Sequence, residues 1–498
     1  MRRFTELVNL KKGSNDRQKK SSNELPRHKR DENREIGIIT YGFLFIFLAL
    51  ILYVGIFTQT KSRDVINNPY NKRQQLLEER LIRGDIISRN RTILATTIVS
   101  DEGAVERFYP YKKVFAHVVG YSTNGVLGIE SIDNFKLLEC NDNIVTRIKN
   151  DLSGKKNHGN TVVTTLDEKI QKAAYEALGD KKGAIIVMNP RNGDILASIS
   201  KPDFDPNLIN EDWEKLNAEN SGSPLLNRTY LGKYPPGSTF KIVTALEYIK
   251  ENYNNYREYD YDCTGRFNYK GSEINCYHGQ AHGELDFNLS FAKSCNSSFA
   301  NIASTLRKAK FKETCNELLF NSELPLPFSY SQGITDITEY STTDDILQTG
   351  IGQGKTLVSP AQLCLITCAI VNNGVLMNPR VVSKIESCSG KTIEKNDVKE
   401  YGLLMDEKYA DILKELMLDV VSEGTGSKLN KSKKYTAGGK TGSAEYSSSD
   451  KSKSHAWFTG FAENEDDIVC VTVIIEDGGT GSDSAVPVAK SVFDAYYE

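Results

Sequence analysis

The sequence predicts an α+β fold: a sheet flanked by helices, standing on a small pedestal and tethered by one membrane-spanning helix. Three observations lead there. Strand-like runs lie near both ends of the region from Gly159 to Glu498, with helical patterns between them, so distant stretches must close one central sheet. Ile36–Phe57 offers 22 consecutive residues without a charge, enough to cross a bilayer as a helix. Thr58–His158, about 100 residues, is charged and poor in long apolar runs, which suits a pedestal better than a second enzyme.

In chain order, residues 1–35 form a basic tail with eleven Lys+Arg against six Asp+Glu. The positive-inside rule places that tail in the cytoplasm and everything beyond Phe57 outside. Residues 36–57 are the anchor. TQTKSR follows with no small-residue cleavage site, so the segment reads as uncleaved. The whole chain carries −3, so the portion after the tail carries −8, a poor match for nucleic acid. Residues 58–158, the pedestal, include a predicted helix in NKRQQLLEERLIRG (Asn71–Gly84). Two short strands follow in IRGDIISRNRTILAT, around the Asn90–Arg91 turn.

Residues 159–498 begin with NTVVTTLDEKIQKAAYEAL, which reads as a strand, a cap at Thr165–Asp167 and an amphipathic helix. GAIIVMNPRNGDILASIS is a hairpin turned at Asn189–Gly193. HAWFTGFAENEDDIVCVTVIIEDG gives another, from Ala456–Phe461 and Ile468–Ile475, and a last helix runs over Val488–Tyr497. Ser443–Ser454 is of low complexity.

Nine cysteines in an exported chain leave at least one without an internal partner. Cys364 and Cys368 lie four apart in AQLCLITCAIV, the pattern of buried helix packing. Cys263 and Cys276 flank a Tyr/Gly-rich segment, with His278 and His282 close behind. The order C-x12-C-x-H-x3-H lacks the short Cys–Cys spacing of zinc modules. A hairpin disulfide therefore ranks above zinc, and unbridged thiols stay open as well.

The stretch YPPGSTFKIVTAL, Tyr234–Leu246, places Ser238 and Lys241 three apart at a helix start, after two prolines and a glycine. Read alone it is an N-cap. Read as chemistry it pairs a hydroxyl with an amine on one helix face. Ser needs a base to become a nucleophile, and Lys serves only if burial or a nearby cation strips its proton. Ser290-x-x-Lys293 and Ser448-x-x-Lys451 match the same spacing without the Pro-Gly break. FAKSCNSSFANIA then supplies Ser294-Cys295-Asn296 within a predicted helix, and TAGGKTGSAEY supplies Lys440-Thr441-Gly442, which reads as a strand beside a cleft. There Gly442 would let a ligand backbone approach.

These three motifs, in this order, resemble those of the penicillin-recognising serine acyltransferases. IRGDIISRN, SKPDFDPN, HGELDF, GIGQGKTLVSPAQL, VVSEGTG and HAWFTGFA extend the likeness to class B penicillin-binding proteins from about Asn71 onward. The short pedestal, with no appendage after the final helix, looks most like the penicillin-binding protein A type.

The resemblance implies a penicillin-binding, serine β-lactamase-like transpeptidase domain built on an antiparallel sheet. It also implies roles: Ser238 attacks a D-alanyl-D-alanine stem peptide, with Lys241 as base. Ser294 passes a proton to the leaving nitrogen, Asn296 holds the substrate amide, and Lys440 keeps Lys241 neutral. Thr441 binds the terminal carboxylate, and the backbone N–H groups of Ser238 and Ser443 form an oxyanion hole beside Gly442. Peptidoglycan stem peptides and β-lactam antibiotics are the implied ligands, with no cofactor and no metal. The pedestal is too small for a glycosyltransferase, so a glycan polymerase of the SEDS type is the implied membrane partner.

Two rival readings remain. A β-lactamase or β-lactam sensor needs a water-activating base, for which Glu317 and Asn321 have a tempting spacing. A non-catalytic wall-assembly scaffold would not need Ser238.

Overall fold

The structure is a computed structural model that describes residues 27–60, 81–100, 104–445 and 453–498. It divides into two units, residues 1–66 and 67–498. In the first, α1 (Arg27–Thr60) carries a predominantly apolar stretch, Arg34–Phe57, charged only at Arg34 and Glu35, with a mean hydropathy of 2.4. At 1.5 Å per residue such a stretch covers about 36 Å, more than the roughly 30 Å hydrocarbon core of a bilayer. Its large apolar side chains are exposed on all sides, as a lipid-facing helix requires.

The described part of the second unit includes β1 (Ile86–Ile87), β2 (Ile93–Val99) and β3 (Val105–Phe108), then β4 (Thr161–Thr164) and α2 (Glu168–Leu178). β5 (Gly183–Met188), β6 (Ile195–Lys201) and α3 (Lys241–Glu251) come next. α4 (Phe287–Ala292), α5 (Asn296–Thr305), α6 (Pro360–Val371), β7 (Val382–Glu386) and β8 (Thr392–Lys395) follow. The chain closes with α7 (Glu407–Ser422), β9 (Thr436–Glu445), β10 (Ser454–Glu463), β11 (Ile468–Ile475) and α8 (Val486–Tyr497).

The central sheet has five strands in the order β9-β10-β11-β5-β6, all neighbours antiparallel. Both expected hairpins are present, and β11 pairs with β5 to join the two ends of the region. β5 and β11 are almost wholly apolar and fully buried because both faces of the sheet are covered. Ala184, Ile186 and Met188 of β5 enter the core that holds α3 and α6, whereas Ile185 and Val187 face α2 and α8. Asp167 caps α2 as expected, its carboxylate accepting from the N–H groups of Lys169 and Ile170.

A second sheet, β8-β7-β4-β1-β2-β3, runs across residue 158: β4 pairs parallel with β1 and antiparallel with β7, more than 200 residues on. Most of the helix expected over Asn71–Gly84 lies outside the described residues. Its end differs from expectation, because Leu81–Ile82 pair as a short parallel strand with Asn157–His158. Likewise Ser443–Glu445 and Ser454 of the low-complexity stretch are strand, with 446–452 outside the description.

The region around β1–β3 is fastened by a buried charge cluster. Glu130 is fully buried and accepts from Arg83 Nε at 2.6 Å and Arg107 Nε at 2.8 Å. Burial alone would raise the Glu130 carboxyl; Arg107 and Arg83 reverse this and hold it below the ordinary value. Removing one partner strands two guanidinium groups without their counter-ion. Glu130→Ala is therefore expected to cost about 3–5 kcal/mol, read from thermal or denaturant unfolding of the full chain in detergent.

Candidate active site

The Pro235-Pro236-Gly237 break ends the preceding segment and starts a 3-10 turn, Gly237–Phe240, that runs straight into α3. No side chain caps either start, so Ser238 is not an N-cap. Its hydroxyl lines an open cleft of about 810 Å³ instead, and among the described residues that hydroxyl has no hydrogen-bond partner.

Gly237 fixes the turn. Its φ is +53°, and a Cβ there would lie 2.9 Å from the carbonyl oxygen of Ser443, so only glycine suits both constraints. Gly237 N–H donates to Gly352 O at 2.9 Å, and Trp457 Nε1 donates to Pro235 O at 3.0 Å. The turn is thus braced by the GIGQG segment and by β10.

β9 is the edge strand of the central sheet and carries Thr441, Gly442 and Ser443 along the cleft, with Lys440 buried beneath. Gly442 has a different neighbour from the expected ligand. A Cβ there would meet Pro236 O and the Thr239 methyl, each at 3.1 Å, so the missing side chain lets the Ser238 turn press against the strand. Thr441 is almost fully buried, and its hydroxyl bonds to that of Thr425. Thr425 comes from VVSEGTG and lines the same cleft. Ser443 Oγ accepts from Gly481 N–H at 3.3 Å, which ties the strand to the loop before α8.

The middle motif differs from its expected conformation. Ser294 is not inside a helix: α4 stops at Ala292, α5 starts at Asn296, and Ser294 adopts φ +56° between them. A left-handed residue with a Cβ breaks the helix and costs roughly 1–2 kcal/mol. The break turns Ser294 Oγ and Asn296 toward the two lysines.

Lys241 and Lys440 are both wholly buried. Lys241 Nζ donates to Ser294 O and Asn296 Oδ1, both at 2.7 Å, and lies 3.4 Å from Ser294 Oγ. Lys440 Nζ donates to Ser294 Oγ at 2.7 Å and to Thr441 O at 3.2 Å. Burial pushes Lys241 down to about 8. Lys440 is pushed far below the usual lysine value, by burial first and then by repulsion from Lys241. Two buried cations bridged by one hydroxyl repel, so the pair gives up a proton readily. A neutral Lys241 amine has two N–H groups, and the two oxygens at 2.7 Å accept both. Its lone pair stays free to take a proton.

Ser238, Ser294, Asn296, Thr441, Gly442 and Ser443 therefore line one cleft, from the turn before α3, the α4–α5 break and β9, with Lys241 and Lys440 buried beneath it and bonded to Ser294. The rival pair does not join them. Glu317 is held by Lys250 at 2.6 Å and Asn321 by Thr335 at 3.1 Å, and neither lines the cleft. Cys364 and Cys368 are buried in α6, as their spacing implied. Cys263 and Cys276 are unbridged, with sulfurs 3.7 Å apart. Sequence reasoning gave no role to Thr425, Gly352 or Trp457, although each sits in a stretch that resembled the family.

Residues 183–494 match the penicillin binding protein transpeptidase domain, and residues 83–162 the penicillin binding protein A dimerisation domain. The chain is 26% identical over 485 residues to the peptidoglycan D,D-transpeptidase PbpA of Mycolicibacterium smegmatis, covering 91% of this chain and 96% of the relative. The imipenem acyl-enzyme complex of penicillin-binding protein A from M. tuberculosis superposes with a TM-score of 0.77. It is 24% identical, with 84% of this chain and 99% of that one covered. The D,D-transpeptidase domain of a peptidoglycan glycosyltransferase from Eggerthella lenta gives 0.73 at 26% identity, covering 84% of this chain and 98% of the other.

Proposed function

The chain belongs to the penicillin-binding protein transpeptidase family, and from that premise we propose that it is a membrane-anchored serine D,D-transpeptidase that cross-links peptidoglycan. One observation carries the assignment. Ser238 offers an uncapped hydroxyl to a cleft whose buried floor joins Lys241, Ser294, Asn296 and Lys440.

Lys241 takes the Ser238 proton as Oγ attacks the carbonyl between the two terminal D-alanines. The developing oxyanion is met by the N–H groups of Ser238 and Ser443; one such donor is worth roughly 10²–10³ in rate. The C–N bond then breaks, and Ser294, bonded to both lysines, relays a proton to the departing D-alanine nitrogen. Asn296 orients the stem amide, while Thr441 binds the terminal carboxylate. An amine of a neighbouring stem attacks the ester, restores the Ser238 hydroxyl and completes the cross-link. β-Lactams acylate the same oxygen.

Residues 159–498 form the catalytic part and 58–158 the pedestal in this reading, with residues 36–57 spanning the membrane. The basic tail lies in the cytoplasm and the cleft outside. A SEDS-type polymerase in the same membrane would supply the glycan strands.

Incubation of the full chain with a D-alanyl-D-alanine stem pentapeptide and a D-amino acid acceptor is expected to release D-alanine and form the exchanged peptide. Penicillin should remain bound as a long-lived ester. Rapid turnover of opened penicillin with no exchange product would favour the hydrolase reading.

A further inference from the structure

The pedestal carries a helix, Ile144–Leu152, that buries none of its nine residues. Its ends hold its form: Asn143 Oδ1 accepts from Val145 N–H at 3.0 Å, and Ser153 Oγ donates to Lys149 O at 2.7 Å. One edge is tied to the body. Asn150 Nδ2 donates to Asn157 Oδ1 at 2.9 Å, and Asn157 Nδ2 donates to Asp151 Oδ1 at 2.8 Å.

Helices this short are marginal in water, and most are held by packing an apolar face. Here that face is wet. Ile144, Val145, Ile148 and Leu152 are 52–85% exposed. At about 100° per residue the four fall within about 100° of arc, centred about 120° around the helix from the edge that holds Asn150 and Asp151. Charge follows the same stripe. Exposed Arg147 and Lys149 flank it on opposite sides, and exposed Lys155 follows the helix. Together with Lys156 they set four cations against Asp151 over residues 143–156, a balance of +3 in a chain that carries −8 beyond its tail.

An aliphatic stripe bordered by cations is the pattern of a helix lying in the surface of an anionic membrane. A protein partner fits poorly. The helix offers a face about 14 Å long and about 10 Å wide, about 140 Å², where a stable interface needs about 800 Å² per partner. A second copy docking through the same face would also set +3 against +3. A bilayer needs no such area, because the chain is already tethered to it. Twenty residues separate Thr60, the end of α1, from Leu81, which pairs with Asn157 five residues beyond Leu152. Fully extended they span at most about 70 Å, so the stripe is confined near lipid and a weak affinity suffices.

We propose that Ile144, Val145, Ile148 and Leu152 insert at the headgroup–acyl boundary of an anionic bilayer, with Arg147, Lys149 and Lys155 against lipid phosphates. A single tether leaves the pedestal free to swivel; this second attachment holds it in one orientation on the membrane. The inference rests on α1 being a membrane anchor and not on the acyl-transfer chemistry.

The full chain carrying Ile148→Trp is the reporter, reconstituted into phosphatidylethanolamine–phosphatidylglycerol vesicles with brominated acyl chains. The emission that this tryptophan adds is expected to fall by roughly half, because an interfacial helix lies about 5–10 Å into the boundary. Tyr340→Trp, at an exposed position in the transpeptidase region, should lose none. Both positions lie on the surface, so neither substitution disturbs the core. Adding Leu152→Glu to Ile148→Trp should abolish the quenching. Adding Arg147→Glu with Lys149→Glu, or replacing phosphatidylglycerol by phosphatidylcholine, should reduce it severalfold. Any of three results overturns the proposal: no quenching of Ile148→Trp, equal quenching at Tyr340→Trp or without anionic lipid, or emission that follows protein density and not bromination, which marks a second copy. Emission is read without substrate or penicillin, so its failure is distinct from failure of the transpeptidase assignment.

Discussion

The full chain carrying Ser238→Ala is expected to take up no fluorescent penicillin, while the wild type binds one covalently and keeps it through denaturing electrophoresis. The effect is complete because the ester oxygen is the Ser238 oxygen itself; removing it deletes the bond, whatever the rest of the cleft retains. The substitution should leave the fold intact, since Ser238 caps no helix and its hydroxyl bonds to no described residue. Unfolding midpoints of the two proteins should therefore agree closely. Equal labelling of the variant would place the acylated residue elsewhere and end the assignment. A scaffold protein would also show itself here, because Ser238→Ala would then support growth in place of the wild type.

Much of this site could be read from local sequence, and what could not has a physical cause. Ser238 and Lys241 share one helical turn, so their spacing carries their geometry. The two sheet hairpins declare themselves by short turns between apolar runs. Ser294 misleads because Phe287, Phe291, Cys295, Phe299 and Ala303 recur every four residues, a helical spacing that runs straight through it. What breaks it is tertiary: bonds from Lys241 and Lys440, 53 and 146 residues away, reward a φ that local propensity opposes. The pairing of β7 with β4 is hidden for a similar reason, since neither strand's pattern names its partner. The cluster of Cys263, Cys276, His282 and Cys295, whose sulfur and ring-nitrogen atoms lie within 4.8 Å of one another, was half visible. Cys263, Cys276 and His282 were marked by spacing, but Cys295 hid inside a motif that seemed to be about its neighbours.

Lys241→Ala is expected to lower the rate of penicillin acylation by about 10²–10⁴, the usual worth of a positioned base. Some of that loss could be packing, because the side chain is fully buried; pH separates the two causes. Burial lowers the Lys241 ammonium to about 8, so at neutral pH most molecules hold the proton there and cannot accept another. The wild-type rate should thus rise about tenfold per pH unit below that value and level off above it. A fully neutral amine gains nothing from further alkali. The variant has no such group and should lose the inflection, while a merely misfolded cleft would keep it at a lower plateau. Lys440→Ala supplies the converse test. Burial lowers Lys241, whereas Lys440 is itself pushed far below the usual lysine value and adds no repulsion there, so removing Lys440 should leave the inflection near 8. A wild-type profile that is flat from neutral to alkaline pH would mean that Lys241 is not the base.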